Sequence, residues 1–493
     1  MGVMKTKKSQ ILDSVGLRTA VRTANFVLKN VPAYSDFLEK KLGKKIIKIT
    51  EKNFHTLPVI DKPNYLYKYI LSKLIASGKL PPMMHTSSGS SGRPTYWFRT
   101  DQQENGGSSQ TEEVFKNNFD IRPKDKILIV NCFSMGTWVA GTYMLEVGRI
   151  LARRSFNVST VCPGIEQKDV VNILKYLPKI FSKVIILGYP PFLTDIFQII
   201  KTKGIKIAGD KLRIITSGGN FSEKWRKQMI KINRIGKSKY ICSFYGSADV
   251  GIMATETPLS VWLRENLEQD SKLKKTLCVN GGELPSLFQY DPPLIYFEEQ
   301  KSELLLTTNG GIPLVRYGIK DTGRVFPFVE LCDLLKNCGL YVKVAPLITK
   351  QTQRPLLILT GRSDVMIWFY AINIFPRYIY DGLKTDNIIN LATGAYVAYT
   401  ERELKKQKLF VRVELVNRVD ITEGNKQIVK RSIVKSLLNA SSEFRKLHGT
   451  YGKTVEPNIV LFKFQDPGMF RTNYKSIVQI VGKKPRMFLG KID

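Results

Sequence analysis

The segment HTSSGSSGRPTYWFRT, His85 to Thr100, holds an unbroken Ser/Thr/Gly run from Thr86 to Gly92 and then turns abruptly aromatic. Hydroxyls and glycine amides concentrated in this way suit a tight turn that converges on negative charge, because glycine lets backbone N–H groups approach closely. A flexible connector has the same composition. The run is not a Walker loop, since Arg93-Pro94-Thr95 stands where a Lys-Ser/Thr pair would follow the last glycine. It leads instead into Thr-Tyr-Trp-Phe, which reads as a buried strand and favours the anion-cradling turn. Further along lie SGGN (Ser217–Asn220), FYGSADVG (Phe244–Gly251), IPLVRYGIKDTGRV (Ile312–Val325), LTGRSD (Leu359–Asp364) and the C-terminal PRMFLGKID. Each joins glycines to an ionisable or hydroxyl side chain.

The elements that must position these residues follow from hydrophobic spacing. From Ile11 to about Leu80 apolar residues recur at three- and four-residue steps, as in LDSVGLRTAVRTANFVLKNV, which predicts helices. Between residues 125 and 325 short β-rich runs (KILIVNCF, KVIILGY, KLRIITSGG, KYICSFYGS) alternate with amphipathic ones (VVNILKYLPKIF, PFLTDIFQIIKTKG, SEKWRKQMIKI). That alternation predicts an α/β domain built on mainly parallel sheets, with its functional loops at the strand C-terminal ends. After LILTGRSD the pattern changes to LFVRVELVNRV, KQIVKRSIVKSLLNASSEFRKL and NIVLFKF, a smaller α+β unit. The expected division is 1–360 for a large N-terminal domain and 361–493 for a small C-terminal one.

Composition narrows the classes. With 493 residues, 43% apolar, the chain buries a large core. No run approaches the roughly 18 apolar residues of a membrane helix, and no apolar segment follows the basic start, so a cytoplasmic location is expected. Gly2 and Thr6 fit the loose myristoylation pattern. Six cysteines without a CxxC pair argue for reduced core thiols, and three histidines far apart form no local metal motif. A net charge of +34 asks for an anionic partner, such as nucleic acid, a membrane surface or an acidic protein, or else describes a solvated basic surface. The excess is spread, with 15 Lys+Arg against 5 Asp+Glu in residues 1–75 and 23 against 12 in residues 361–493.

Taken in order, the five segments TSSGSSGRPT, FYGSADVG, IPLVRYGIKDTGRV, LTGRSDVMIWFYAINIFPRYI and PRMFLGKID resemble the signature segments of the adenylate-forming (acyl/aryl-CoA synthetase) superfamily. Thr95 and INIFPRYI look most like its phenylacetate–coenzyme A ligase branch. The resemblance covers the chain from Thr86 to Lys491. It implies ATP-dependent adenylation of a carboxylic acid, then acyl transfer to the thiol of coenzyme A, with a small mobile C-terminal domain serving both steps.

By that resemblance Ser87, Ser88, Gly89, Ser90, Ser91 and Gly92 wrap the β- and γ-phosphates of ATP. Ser217, Gly218 and Gly219 line the adenine, with Tyr245 as its stacking face beside Gly246 and Ser247. Asp321 accepts from the ribose hydroxyls, and Arg362 reaches the ribose or α-phosphate. Asp364 is the hinge, and Lys491 is the adenylating lysine, in preference to Lys483 and Lys484, which lack the spacing. Asp249 stands at the position of a Mg²⁺-holding Glu, with Glu256 a second possible carboxylate. Phe133, Met135, Trp138 and Tyr143 suggest a pocket for a hydrophobic or aromatic small carboxylic acid, or else core.

Two departures matter. Ala371 replaces the glycine that precedes the conserved Asn by two residues, and Tyr370 stands where a basic residue is common, which puts coenzyme A in question more than adenylation. The stretch after FYGSADVG offers only Cys278 and no His, so no structural zinc is expected. Alternative readings are transfer to an acidic carrier-protein thiol or another acceptor, and an inactive relative that binds a polyanion.

Overall fold

The computed structural model describes residues 7–76, 80–87, 95–154, 156–267, 269–277, 284–349, 353–362, 367–370, 372–403, 406–470, 477–481 and 484–488. The chain divides into two compact units, Met1–Thr86 with Tyr96–Ser363, and Ser87–Thr95 with Asp364–Asp493. The predicted N-terminal helices are Lys7–Asn30 and Pro32–Leu42, followed by single turns up to Leu74. The Ser/Gly segment is entered by β1 (Met83–Ser87) and left by β2 (Thr95–Arg99), which pair in a two-stranded sheet.

The large sheet of the first unit contains β3 (Ile127–Asn131), β4 (Val158–Val161), β5 (Lys183–Gly188), β6 (Leu212–Thr216), β7 (Ile241–Ser247), β8 (Gly251–Thr255), β9 (Ser286–Gln289), β10 (Tyr296–Gln300), β11 (Glu303–Thr308), β12 (Leu314–Phe326) and β13 (Leu356–Arg362). Their spatial order is β10-β11-β12-β13-β9-β8-β7-β6-β5-β3-β4. The α/β expectation is met. The neighbours β4, β3, β5, β6 and β7 are all parallel. Helices Val139–Arg153, Gln167–Tyr176, Pro190–Thr202 and Glu223–Asn233 supply the crossovers that parallel neighbours require. Strands β3 and β5 read as apolar runs because both faces are covered, every residue of β3 being buried, whereas β4 (VSTV) at the sheet edge is partly exposed. Beyond β7 the same sheet continues antiparallel, since the short β7–β8 and β10–β11 connections can join only antiparallel neighbours.

Chain order reverses direction at β3, whose successor β4 lies on one side and β5 on the other. Loops leaving a sheet at such a point diverge and open a crevice at the strand C-terminal ends. Asn131, the last residue of β3, keeps its loop in place: its amide donates to the Gly141 carbonyl (2.7 Å) and its side-chain oxygen accepts from the Phe133 N–H (3.3 Å).

The second unit holds β14 (Ile367–Phe369) and β15 (Ile372–Ile374) as a hairpin, and a sheet of β16 (Ala392–Glu403), β17 (Lys406–Leu415), β18 (Asn458–Phe462), β19 (Ile477–Val481) and β20 (Lys484–Phe488) in the order β18-β17-β16-β19-β20. Helices Pro376–Leu383, Glu423–Ala440 and Ser442–Tyr451 pack on it through Tyr378, Ile379, Ile433, Leu437 and Phe444.

Candidate functional site

The loop after β3 carries three of the four residues expected to line an apolar pocket. Gly141 allows it to fold back, because a Cβ there would lie 2.3 Å from the Ser134 carbonyl oxygen. Phe133 is buried, whereas Met135 and Trp138 are half-exposed. A Cβ on Gly164, which has φ +62°, would lie 3.6 Å from the Met135 side chain and from the Phe133 carbonyl oxygen. Thr86 on β1 bridges to Trp138, its N–H donating to the Thr137 carbonyl at 2.9 Å. Beside it His85 is 1% exposed, with Nδ1 3.2 Å from Thr142 Oγ1 and Nε2 without a partner among the described residues. Burial pulls the His85 pKa from 6.5 down to about 4, reinforced by the Arg99 charge.

Tyr143, the fourth pocket residue expected, packs elsewhere. It is 3% exposed and donates to the Gln103 carbonyl at 3.1 Å. Its ring lies between helix Asp101–Asn117 and the β7–β8 turn, where a Cβ on Gly107 would lie 2.0 Å from its hydroxyl and one on Gly251 3.2 Å from its ring. Its role there is that of a core aromatic.

The Ser217–Asn220 turn follows β6. Ser217 Oγ donates to the Phe244 carbonyl at 3.0 Å, Gly218 is exposed with φ +79°, and Gly219 faces Tyr189, whose ring a Cβ would meet at 2.5 Å. Asn220 Oδ1 accepts from Arg264 (3.0 Å) and from Ser286 Oγ (2.6 Å). Beneath the turn lies a group of four charges that sequence reading missed, because the amphipathic pattern of SEKWRKQMIKI does not say which of its charges are buried and paired. Arg226 contacts Glu223 at 2.9 Å and Glu256 at 2.7 Å, and Arg264 contacts the same two carboxylates at 3.4 and 3.5 Å. All four are buried, Arg226 and Glu256 completely. Glu256 also accepts from the Ser243 N–H of β7 at 2.8 Å. Burial lowers the Arg226 pKa, and the carboxylates of Glu256 and Glu223 more than reverse this, so the guanidinium is held charged. Glu256 therefore belongs to this internal group and is not a second metal carboxylate.

The FYGSADVG segment forms the end of β7 and its turn into β8. A Cβ on Gly246 would lie 2.9 Å from the Gly251 carbonyl oxygen, and Ser247 Oγ accepts from the Val250 N–H at 3.3 Å. Tyr245 is 8% exposed, packs near-parallel to Phe288 (5.8 Å) and Phe297 (6.4 Å), and donates its hydroxyl to Asp321. Asp321, 6% exposed on β12, lies opposite Arg362 of β13 in the antiparallel register. Residues 76 and 117 positions away from Tyr245 thus meet at one corner of the sheet.

Asp249 has partners of another kind. Its Oδ1 is 3.3 Å from Lys62 Nζ and its Oδ2 accepts from the Tyr317 hydroxyl at 2.7 Å, while fully buried Arg99 donates to the carbonyls of Ala248 and of Asp249 itself. A magnesium ion does not fit these residues. The one carboxylate available to an ion held chiefly by phosphates and water already faces an ammonium. At an effective dielectric near 20, a divalent cation roughly 4 Å from Lys62 Nζ would be repelled by about 8 kcal/mol. Nothing in the sequence around Lys62 signalled this pairing.

Ser88, Gly89, Ser90, Ser91, Gly92, Asp364, Ala371 and Lys491 lie outside the described residues, and Arg362 is described by its backbone alone. Ser87 closes β1 with its side chain 8% exposed. Among the described residues no helix is long and apolar enough to cross a membrane.

No family model matches the chain, and no curated protein matches it. Solved structures do. The chain resembles 2-hydroxyisobutyryl-CoA ligase in complex with 2-HIB-AMP and CoA in the thioesterification state, with TM-score 0.62 at 14% identity over 95% of this chain and 89% of that one. The same ligase in the post-adenylation state, in complex with R3-HIB-AMP, matches with TM-score 0.50 at 13% identity over 94% and 88%. The fold is that of adenylate-forming ligases.

Proposed function

We propose that this protein is an adenylate-forming ligase. A carboxylate oxygen attacks the α-phosphorus of ATP, the bond to pyrophosphate breaks, and the acyl-AMP so formed passes its acyl group to the thiol of coenzyme A with release of AMP. One observation carries this reading most directly. Tyr245, Asp321 and the backbone of Arg362, drawn from three of the resemblance-bearing segments, meet at one corner of the sheet. Chance matches in sequence have no reason to converge in space.

In this mechanism Asp321 accepts from the ribose hydroxyls. A carboxylate has about four lone-pair positions, so the Tyr245 hydroxyl on one oxygen orients the group without exhausting it. The ring of Tyr245 faces Phe288 and Phe297, so its contribution is the hydroxyl, and the exposed Gly218 with Gly219 offers the flat backbone surface for adenine. The Ser87–Gly92 run wraps the outer phosphates. Phe133, Met135 and Trp138 take the acid, whose hydrophobic or aromatic character they suggest. Arg362 and Lys491 are the catalytic cations that offset charge at the α-phosphate as it develops. The chemistry uses no metal ligand from Asp249.

A second acceptor, a carrier-protein thiol, is favoured by the residue types at 370 and 371. Ala371 replaces the family's glycine, and Tyr370, at φ +53°, stacks on Tyr451 with ring centroids 5.6 Å apart.

Acid-dependent ATP–pyrophosphate exchange across a panel of carboxylic acids tests the first half-reaction. Exchange is expected with at least one apolar acid and is expected to fall by about two orders of magnitude or more in Lys491→Ala. A folded sample that neither exchanges nor binds ATP would refute the reading and favour the inactive polyanion binder. Thioester formation on adding coenzyme A separates the two acceptors.

A further inference from the structure

We propose that Asp249 holds no metal ion in this protein and that the Lys62 ammonium is its permanent counter-cation. The inference rests on the adenylating reading, within which Asp249 stands at the position where a divalent ion is expected. Both carboxylate oxygens are engaged, Oδ1 by Lys62 at 3.3 Å and Oδ2 by the Tyr317 hydroxyl at 2.7 Å. The Asp249 side chain is 6% exposed and that of Lys62 21%, so water screens the pair only in part.

The backbone on each side fixes this arrangement. Lys62 opens a π-helical turn, Lys62–Leu66, capped by Asp61, whose side chain accepts from the Asn64 N–H at 2.8 Å while Asn64 Oδ1 accepts from the Asp61 N–H at 2.8 Å. The ammonium lies 5.7 Å from the centroid of the Trp97 ring, a second favourable surface for a cation. Tyr317 is tied to the same stretch, since Ile60 donates to the Arg316 carbonyl at 3.2 Å and Gly318 donates to the Ile60 carbonyl at 2.9 Å. Arg99 adds a second positive charge on the backbone of residues 248 and 249. A magnesium ion on a nucleotide takes most of its oxygens from phosphates and water and one or two from protein carboxylates. Here it would meet one carboxylate, shorter than the glutamate usual at this place, in front of an ammonium and a guanidinium. A divalent ion that accompanies the nucleotide is then held by the phosphates and not by this side chain.

Two measurements on the full chain decide the matter. Manganese binding is followed by electron paramagnetic resonance at saturating non-hydrolysable ATP analogue, for the parent and for Asp249→Asn. The dissociation constants are expected to agree within twofold, and a tenfold or greater weakening in Asp249→Asn would overturn the proposal. Thermal unfolding, without nucleotide or metal, is compared for Lys62→Met, Asp249→Asn and the double variant. The double variant is expected to lose less than the sum of the single losses, and additive losses would overturn the pairing. Should the parent fail to bind the analogue, the adenylating reading fails, while the unfolding cycle still decides the Lys62–Asp249 pair.

Discussion

Replacing Glu256 by glutamine changes one atom type in a fully buried side chain and leaves two guanidiniums facing Glu223 alone. In the native protein Arg226 and Arg264 are balanced by Glu223 and Glu256 at 2.7 to 3.5 Å. The substitution therefore strands one positive charge in a region where both arginines are essentially inaccessible to water. Breaking a buried pair by neutralising one partner costs about 3–5 kcal/mol, most of it the desolvation of the charge left behind. For a unit of this size the matching fall in melting temperature is roughly 4–7 °C. Glutamine can still accept from the Ser243 N–H, so the loss reports charge balance and not an orphaned backbone group. Urea denaturation and calorimetry read the change, with an unchanged m-value showing that the native state is intact. The neutral double variant Arg226→Met with Glu256→Gln is expected to lose less than Glu256→Gln alone, because it removes opposite charges together and keeps the acceptor for the Ser243 N–H. A Glu256→Gln loss below about 1 kcal/mol, or a double variant worse than the single, would refute the reasoning.

Two further outcomes are expected. His85 has its pKa lowered from 6.5 to about 4, so the unfolded chain takes up the proton first as pH falls; its contribution is fully present above pH 6.5 and is lost between pH 6.5 and 4. His85→Gln should flatten that limb of the stability curve by up to about 3 kcal/mol, read by denaturation at stepped pH. Gly107→Ala would place a methyl group against the Tyr143 hydroxyl and cost about 1–3 kcal/mol despite alanine's better helix propensity, and adding Tyr143→Phe, which deletes the opposing oxygen, should recover part of the lost melting temperature.

Alternation of apolar strands with amphipathic segments was enough to place β3, β5, β6, β7 and three of the helices between them, because a parallel strand covered on both faces leaves an apolar run with no polar interruption. The antiparallel continuation was harder to read. Strands such as Tyr296–Gln300, with glutamates at 298 and 299, carry charge in their interior. For Glu298 the partners that make it tolerable, Arg316 and His55, are supplied from distant positions. The same difficulty hid the Arg226 and Arg264 group and the Lys62–Asp249 pair, since a charged residue in isolation predicts a solvated surface and only tertiary pairing reverses that. Tyr143 misled in the opposite direction. Its aromatic type fits a ligand wall or a core equally, and the deciding facts, glycines at 107 and 251 on either side of its ring, lie outside its own stretch of chain.

The buried charge group also bears on how the protein could be taken apart. Its members and their backbone partners Phe221, Ile241 and Ser243 span 44 positions of one uninterrupted stretch, 221–264. A fragment ending before Arg264 would keep both glutamates with half of their counter-charge, and one beginning between Glu223 and Arg226 would leave two guanidiniums facing Glu256 alone. Excision boundaries, circular permutation sites and split-reporter junctions therefore belong outside 217–264, however loop-like the turn at Ser217–Asn220 looks from its glycines.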